Sequence, residues 1–251
     1  MSEYSNSPLI CYTALSPNHS GLRKHEIDTI SIHCMAGNLS IEVCGKVFSP
    51  TSKQASSNYG IGSDGRIGMY VEEKNRSWCT SSASNDHRAI TIEVANCTAG
   101  PDWKVTDAAL NSLIELCVDI CRRNKIKRLL WCGDKSLIGQ VEKQNLTVHR
   151  WFAAKACPGD YLYKKHGFIC EEVNKRLDGV INLEMTKDEL KKFIEETVKQ
   201  IGVGEPADAW AKEQVESAKG LGITDGSNPK RLATREEVMI MAKRAAEINK
   251  V

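Results

Sequence analysis

The sequence predicts an α/β fold: a central mixed β-sheet flanked by helices, followed by a small all-α domain at the C-terminal end. Three observations carry this. β-Branched runs of period two alternate with helical apolar stripes over residues 1–178. The remainder reads as helices, two of them opened by Thr-x-x-Glu capping boxes. Composition also changes near residue 180, since all ten cysteines lie between Cys11 and Cys170 and the last eighty-one residues hold none. Charge divides at the same place, with 22 Lys and Arg against 19 Asp and Glu in residues 1–178, then 12 against 13. We therefore expect one domain over 1–178 and a second over 179–251.

Each element has a local reason. Ile27–Cys34 (IDTISIHC) is β-branched with period two and reads as a strand. Residues 58–71 hold two short strands around Ser63-Asp64-Gly65, where Asp-Gly signals a hairpin. Ala89–Ala95 (AITIEVA) is a third strand. Thr106–Arg123 carries apolar residues at Ala109, Leu110, Leu113, Ile114, Leu116, Cys117, Ile120 and Cys121, the stripe of an amphipathic helix. Cys117 and Cys121 on that stripe are expected to pack in the core. Leu129–Cys132 is expected as a further strand and Asp160–Leu177 as a helix.

Three helices are expected in the tail. Thr186-x-x-Glu189 opens the first, which ends near Gly202. Pro206 suits the first turn of the second, running to about Gly220. Thr234-x-x-Glu237 starts the third, to about Asn249, with Met239 and Met241 as core gap-fillers. A unit this small has little core and is expected to lean on another surface.

Composition excludes several classes. The chain has 251 residues, 41% hydrophobic and 26% charged, with a formal net charge of +2. Its apolar runs fall far short of the ~18 residues of a membrane span. Residues 1–7 (MSEYSNS) offer neither a basic n-region nor an apolar h-region, so no secretory signal and no membrane partner are expected. A near-zero charge without a dense Lys/Arg patch argues against nucleic acid. Ten cysteines without a secretory signal should be mostly reduced thiols.

Six histidines are the first place to look for metal ligands. His19, His25 and His166 sit in charged segments and read as surface residues. His33 instead closes a β-branched strand, where a buried imidazole needs a partner. A hydrogen-bonded core histidine is one reading and a metal ligand the other. Residues 148–159 (VHRWFAAKACPG) place His149 and Cys157 eight apart in a loop-like segment that also holds Lys155. Two His and one Cys make a three-ligand zinc set that leaves the fourth tetrahedral position for water. Cys34 is set aside because neighbouring strand side chains point to opposite faces. Glu93 interrupts the strand AITIEV: it is a solvated edge residue or, near a metal-bound water, a general base. Tyr59 either donates a phenolic hydrogen bond or packs.

Together these residues resemble the type 2 N-acetylmuramoyl-L-alanine amidases, which share a fold with peptidoglycan recognition proteins. The stretches 16–37, with TISIHCMAG at its end, 56–62 (SSNYGIG), 90–96 (ITIEVAN) and His149 to Gly159 look like the phage and prophage endolysin branch. The resemblance covers roughly 8–178. It implies that His33, His149 and Cys157 bind Zn2+, that Glu93 activates water, and that Tyr59 and Lys155 stabilise the tetrahedral intermediate. Many relatives carry Trp-His where this chain has Trp78-Cys79-Thr80, and His87 is a further candidate for substrate contact.

The implied activity is cleavage of the amide between N-acetylmuramic acid and L-alanine in bacterial peptidoglycan. Its alternatives are a zinc peptidase acting on the stem peptide and a non-catalytic peptidoglycan-binding protein. The implied location is the host bacterial cytoplasm before release, with action at the cell wall. The tail, with Trp210-Ala211, 220–226 (GLGITDG) and 233–237 (ATREE), is similar to an S-layer-homology wall-binding repeat. That implies a cell-wall polymer as its partner; a homodimer is the other reading.

Overall fold

The computed structural model describes residues 4–179 and 187–248. The chain divides into two compact units, Met1–Val180 and Ile181–Val251.

In chain order, the first unit runs β1 (Tyr12–Thr13), β2 (His19–Leu22), β3 (Thr29–Cys34), α1 (Ile41–Phe48), β4 (Tyr59–Ile61), β5 (Ile67–Met69) and β6 (Asn75–Ser77). It continues with α2 (Ala83–Arg88), β7 (Ala89–Val94), α3 (Asp107–Arg123), β8 (Leu146–Thr147) and α4 (Asp160–Gly179). Six strands form one sheet in the order β1-β5-β4-β7-β3-β8, mixed because only β4–β5 is antiparallel. β2 and β6 make a separate antiparallel ribbon.

Alternation within the central strands explains the layers. Ile30, Ile32, Ile90, Ile92 and Ile61 pack with Leu113, Leu116 and Ile120 of α3 and Leu162, Ile169 and Val173 of α4. The intervening residues Ser31, His33, Thr91 and Glu93 therefore point to the other face. There α1, whose Ser40 hydroxyl accepts from the Val43 amide, packs Cys44 and Phe48 against Tyr70. α3 follows the expected stripe, with Cys117 and Cys121 fully buried and Thr106 capping Ala109 N–H. The β4–β5 hairpin closes through Gly62 N–H to the Arg66 carbonyl, and Gly65 takes the positive φ of +83° that the turn demands.

Two expectations fail for identifiable reasons. Leu129–Cys132 is not a strand. The Asn174 side chain of α4 bonds both the amide and the carbonyl of Leu129, and the Leu130 carbonyl accepts from Asn145 and Leu146. The edge position beside β3 goes to β8 instead. His166 is not a surface residue but fully buried, its ring centroid 4.4 Å from that of Trp131. Its polar neighbours mislead, because helical periodicity puts it on the same face of α4 as Leu162, Ile169 and Val173. Short elements with little sequence signal, β1, β2, β6, β8, α1 and α2, add to those predicted.

The second unit holds α5 (Lys187–Gln200), α6 (Lys212–Gly220) and α7 (Arg235–Ile248). The Thr234 box forms as expected: Thr234 Oγ1 accepts from Glu237 N–H at 3.2 Å, and Glu237 Oε2 from Thr234 N–H at 2.8 Å. Thr186 of the first box lies outside the described residues. α6 starts at Lys212 rather than near Pro206, because the preceding segment forms turns in which Asp208 takes Lys230 Nζ at 2.8 Å. Met239 is 62% exposed, not core. No described helix is long and apolar enough to cross a membrane.

Gly60 sets a strict packing constraint beneath the functional residues. A Cβ there meets the Tyr70 ring and hydroxyl at 2.6 Å, and Tyr70 is fully buried with its hydroxyl bonded to the Ile41 carbonyl. Gly60→Ala should therefore destabilise the first unit by about 1–3 kcal/mol, read as a lower urea midpoint at unchanged slope.

Candidate metal centre and active site

Strand register brings the polar residues together. β3 and β7 pair in parallel with His33 opposite Glu93, and β4 places Gly60 opposite Glu93 on the other side. Paired residues in a sheet share a face, so His33 and Glu93 project together, with the Tyr70 ring packed over neighbouring Gly60. His149 opens a single 3₁₀ turn, His149–Trp151, directly after β8 on the far flank of β3. The following loop returns because Arg150 N–H donates to the Cys157 carbonyl at 3.2 Å and the Arg150 guanidinium to that of Ala156 at 2.5 Å.

Three ligand-type side chains converge as a result. Cys157 Sγ lies 3.4 Å from His33 Nδ1, and the donor atoms of His33, His149 and Cys157 all fall within 4.8 Å of one another. Cys34 also reaches Cys157: its backbone N–H donates to Cys157 Sγ at 3.4 Å and its side chain hydrogen-bonds the same thiol. Burial, with the charges of His149 and His166, pushes His33 down to about 3, so its imidazole is neutral at ordinary pH. Burial and the Lys155 charge lower His149 likewise. Hydrogen bonding with Cys34, then burial, pushes the Cys157 thiol well up.

A second group overlaps the first. His33, Cys79 and Glu93 also present atoms within 4.8 Å of one another. Cys79 Sγ contacts Glu93 Oε1 at 3.8 Å, while Glu93 Oε2 is buried without a partner. Burial and the Cys34 charge hold the Glu93 carboxyl well above its usual range. The loop carrying Cys79 is fixed by Asp86, which accepts from the amides of Cys79 and Thr80 and from the Thr80 hydroxyl. The same loop points Ser81 Oγ to within 3.0 Å of His149 Nε2, with Ser81 at φ +63°. A cleft of about 210 Å³ opens over these groups, lined by Cys34, Met35, Trp78, Cys79, Glu93 and His149. A larger groove, about 740 Å³, lies where β3 begins, beside Asp28, Arg123 and Lys125, away from this cluster.

Of the residues singled out in the sequence, His33, His149, Cys157 and Glu93 meet. Lys155 lies exposed on the Cys157 loop, near enough for its charge to act on His149. Two do not join them. Tyr59 pairs with Ile92, one residue out of phase with Glu93, so it enters the opposite face of the sheet. There it is fully buried, donating to Glu73 Oε1 at 2.5 Å and accepting from the Ser7 amide at 2.9 Å. His87 ends α2 and accepts from the Lys24 amide, at the start of β7 rather than its finish. At ~3.3 Å per strand residue, roughly 13 Å separate that end from Glu93. Ser81 and Ser31 escaped sequence reasoning, and Cys79 showed only as a departure from the family pattern; Ser31, two residues before His33 on one strand face, left a usable signal.

The family model of N-acetylmuramoyl-L-alanine amidases matches residues 23–160. Among solved structures, a selenomethionine derivative of AmpD is similar at 16% identity and TM-score 0.50, over 67% of this chain and 98% of that one. A mutant endolysin from Bacillus subtilis is 14% identical with TM-score 0.48, covering 64% and 97%. The endolysin amidase LysCS from Clostridium intestinale is 18% identical with TM-score 0.41, covering 71% and 99%. Likeness at these identities concerns the fold. No curated protein matches the chain.

The placement of Tyr59 has a measurable consequence. Tyr59→Phe strands the Ser7 amide and removes a donor to Glu73, a cost of ~1–3 kcal/mol for buried groups. We expect lower stability in urea with metal binding at the His33, His149 and Cys157 cluster unchanged. Loss of metal affinity at unchanged stability would contradict this placement.

Proposed function

The chain belongs to the N-acetylmuramoyl-L-alanine amidase family, and from that premise we propose that it is a zinc-dependent endolysin. On this reading it cleaves the amide between N-acetylmuramic acid and L-alanine in bacterial peptidoglycan. One observation carries the reading: a His/His/Cys set beside a carboxylate whose second oxygen is buried and unpartnered. Tetrahedral zinc with N at ~2.1 Å and S at ~2.3 Å spans about 3.6 Å from N to S. The 3.4 Å between His33 Nδ1 and Cys157 Sγ supports that fit.

His33, His149 and Cys157 would hold the ion, three ligands that leave room for a water. A bound zinc would lower the pKa of a coordinated water to about 7 and polarise the scissile carbonyl. Glu93 takes a proton from the attacking water and returns it to the departing alanine nitrogen. Its unpartnered Oε2 suits that task. Lys155 brings positive charge to the negative charge developing on the carbonyl oxygen. Tyr59 has no part in this arrangement. The second unit would engage a cell-wall polymer; the 80% exposure of Trp210 supports a contact-making surface there.

Purified walls digested with and without a chelator test the reaction. Chelator-sensitive release of free alanine amino groups with intact glycan supports it. New reducing sugars would sink it, and amines on other stem residues would favour a peptidase. Glu93→Gln should retain zinc and lose about 10²–10⁴-fold in turnover; wall binding without any cleavage by the native chain would instead mark a binder.

Metal loading should also release protons in a defined way. At pH 7 both histidines are neutral and Cys157 is a thiol, because its pKa is raised. Binding as thiolate therefore expels about one proton. Affinity then rises about tenfold per pH unit up to the thiol pKa, with no contribution from His33, which titrates near 3. Calorimetry in buffers of different ionisation enthalpy reads this number, and zero release at pH 7 contradicts Cys157 as a ligand.

A further inference from the structure

Ser31 has no part in the chemistry described so far, yet it makes two contacts that decide the state of His33. The two residues lie two apart on β3, on one face, and both are completely buried. Ser31 Oγ is 3.1 Å from His33 Nε2 and 3.2 Å from the Thr147 carbonyl oxygen. A serine hydroxyl has one proton to donate, and a carbonyl oxygen only accepts. With that proton directed to the Thr147 carbonyl, Ser31 Oγ is left as acceptor toward the ring. His33 must then carry its proton on Nε2. That leaves the lone pair on Nδ1, the nitrogen 3.4 Å from Cys157 Sγ.

We propose that Ser31 is the positioning residue of the metal centre, fixing His33 as its Nε2–H tautomer so that Nδ1 is free to coordinate zinc. The inference rests on the zinc reading of the cluster. It deepens that reading by naming which nitrogen binds and what holds it. A second consequence follows from the register. Ser31 pairs with Thr147 on β8, and the chain passes from Thr147 through Val148 to His149. One hydroxyl thus ties the strand bearing the first histidine to the strand that delivers the second.

Removing the hydroxyl leaves a fully buried N–H without its acceptor. The imidazole then gains by moving its proton to Nδ1, where Cys157 Sγ can accept it, and that proton competes with the metal. Outer-shell partners of ligating histidines commonly change metal affinity by about 10–100-fold.

Valine and threonine have nearly the same shape, so the full chain with Ser31→Thr and with Ser31→Val separates hydroxyl from packing. Zinc affinity is measured by competition with a chelating dye. The His33 tautomer is read from long-range 1H–15N correlations of the metal-free native chain. We expect Ser31→Thr to bind zinc within about threefold of the native chain and Ser31→Val at least tenfold more weakly. The native His33 should show an Nε2–H and a bare Nδ1. Equal affinity of the Thr and Val variants, or a native Nδ1–H tautomer, overturns the proposal. The tautomer measurement needs no variant and no metal, so it stands if either substitution fails to fold. A native chain that shows the Nε2–H tautomer but binds no zinc would refute the ligand reading while leaving the Ser31 bond intact.

Discussion

The parallel pairing of β3 with β7 is the constraint on which the rest depends. Six consecutive residues pair without a shift, from Thr29 opposite Ala89 to Cys34 opposite Val94. Side chains alternate along a strand, so a slip of one residue would turn Glu93 into the isoleucine core and Ile92 into the cleft. The register holds because each strand has one face that only an apolar core accepts, formed by Ile30, Ile32, Ile90 and Ile92 against α3 and α4. The same alternation that buries the isoleucines sets His33 and Glu93 side by side. Packing and chemistry are opposite faces of one pattern.

Such a sheet must also bury polar groups on its chemical face, and these need partners. Asn58 Oδ1 accepts from the Thr91 amide and from Arg23 Nη2, while Arg23 donates further to the carbonyls of Glu73, Asp86 and Ala89. Burial pulls the Arg23 guanidinium down to about 10, against the opposing charges of Glu73 and Asp86. Asp86, in turn, holds the loop that delivers Cys79 and Ser81. Beside these bonded groups, Glu93 Oε2 is buried without a partner. A carboxylate left unpartnered in a cleft is costly for folding and useful for proton transfer.

The cysteines illustrate how far spacing carries. Cys117 and Cys121 sit on an apolar helical stripe and are buried there, as the periodicity required. Strand alternation set Cys34 aside, yet both its backbone amide and its side chain reach Cys157. Main-chain donors have no residue type and leave no mark in a sequence. Cys79 was visible only as a departure from a family pattern; its approach to Glu93 depends on a loop whose course is set by Asp86, seven residues away.

Local pattern alone determined the long elements: β3, β7, the β4–β5 hairpin, α3 and α4 are each written in periodicity, capping or turn chemistry, over stretches where neighbours in sequence are neighbours in space. The candidate ligands His33, His149 and Cys157 and the carboxylate of Glu93 were also legible, as polar or reactive residues whose local pattern left a bland role open beside the functional one and whose roles the family resemblance supplied. Tertiary structure decided what periodicity leaves open. It put Tyr59 on the far face because β4 enters one residue out of phase with Glu93, and it gave the sheet edge to β8 because Asn174 had already satisfied the Leu129 backbone. It also brought Cys157 to His33 across 124 residues of chain. Contacts at that separation are chosen by the energy of the assembled core and its hydrogen bonds, and no local stretch of sequence contains them.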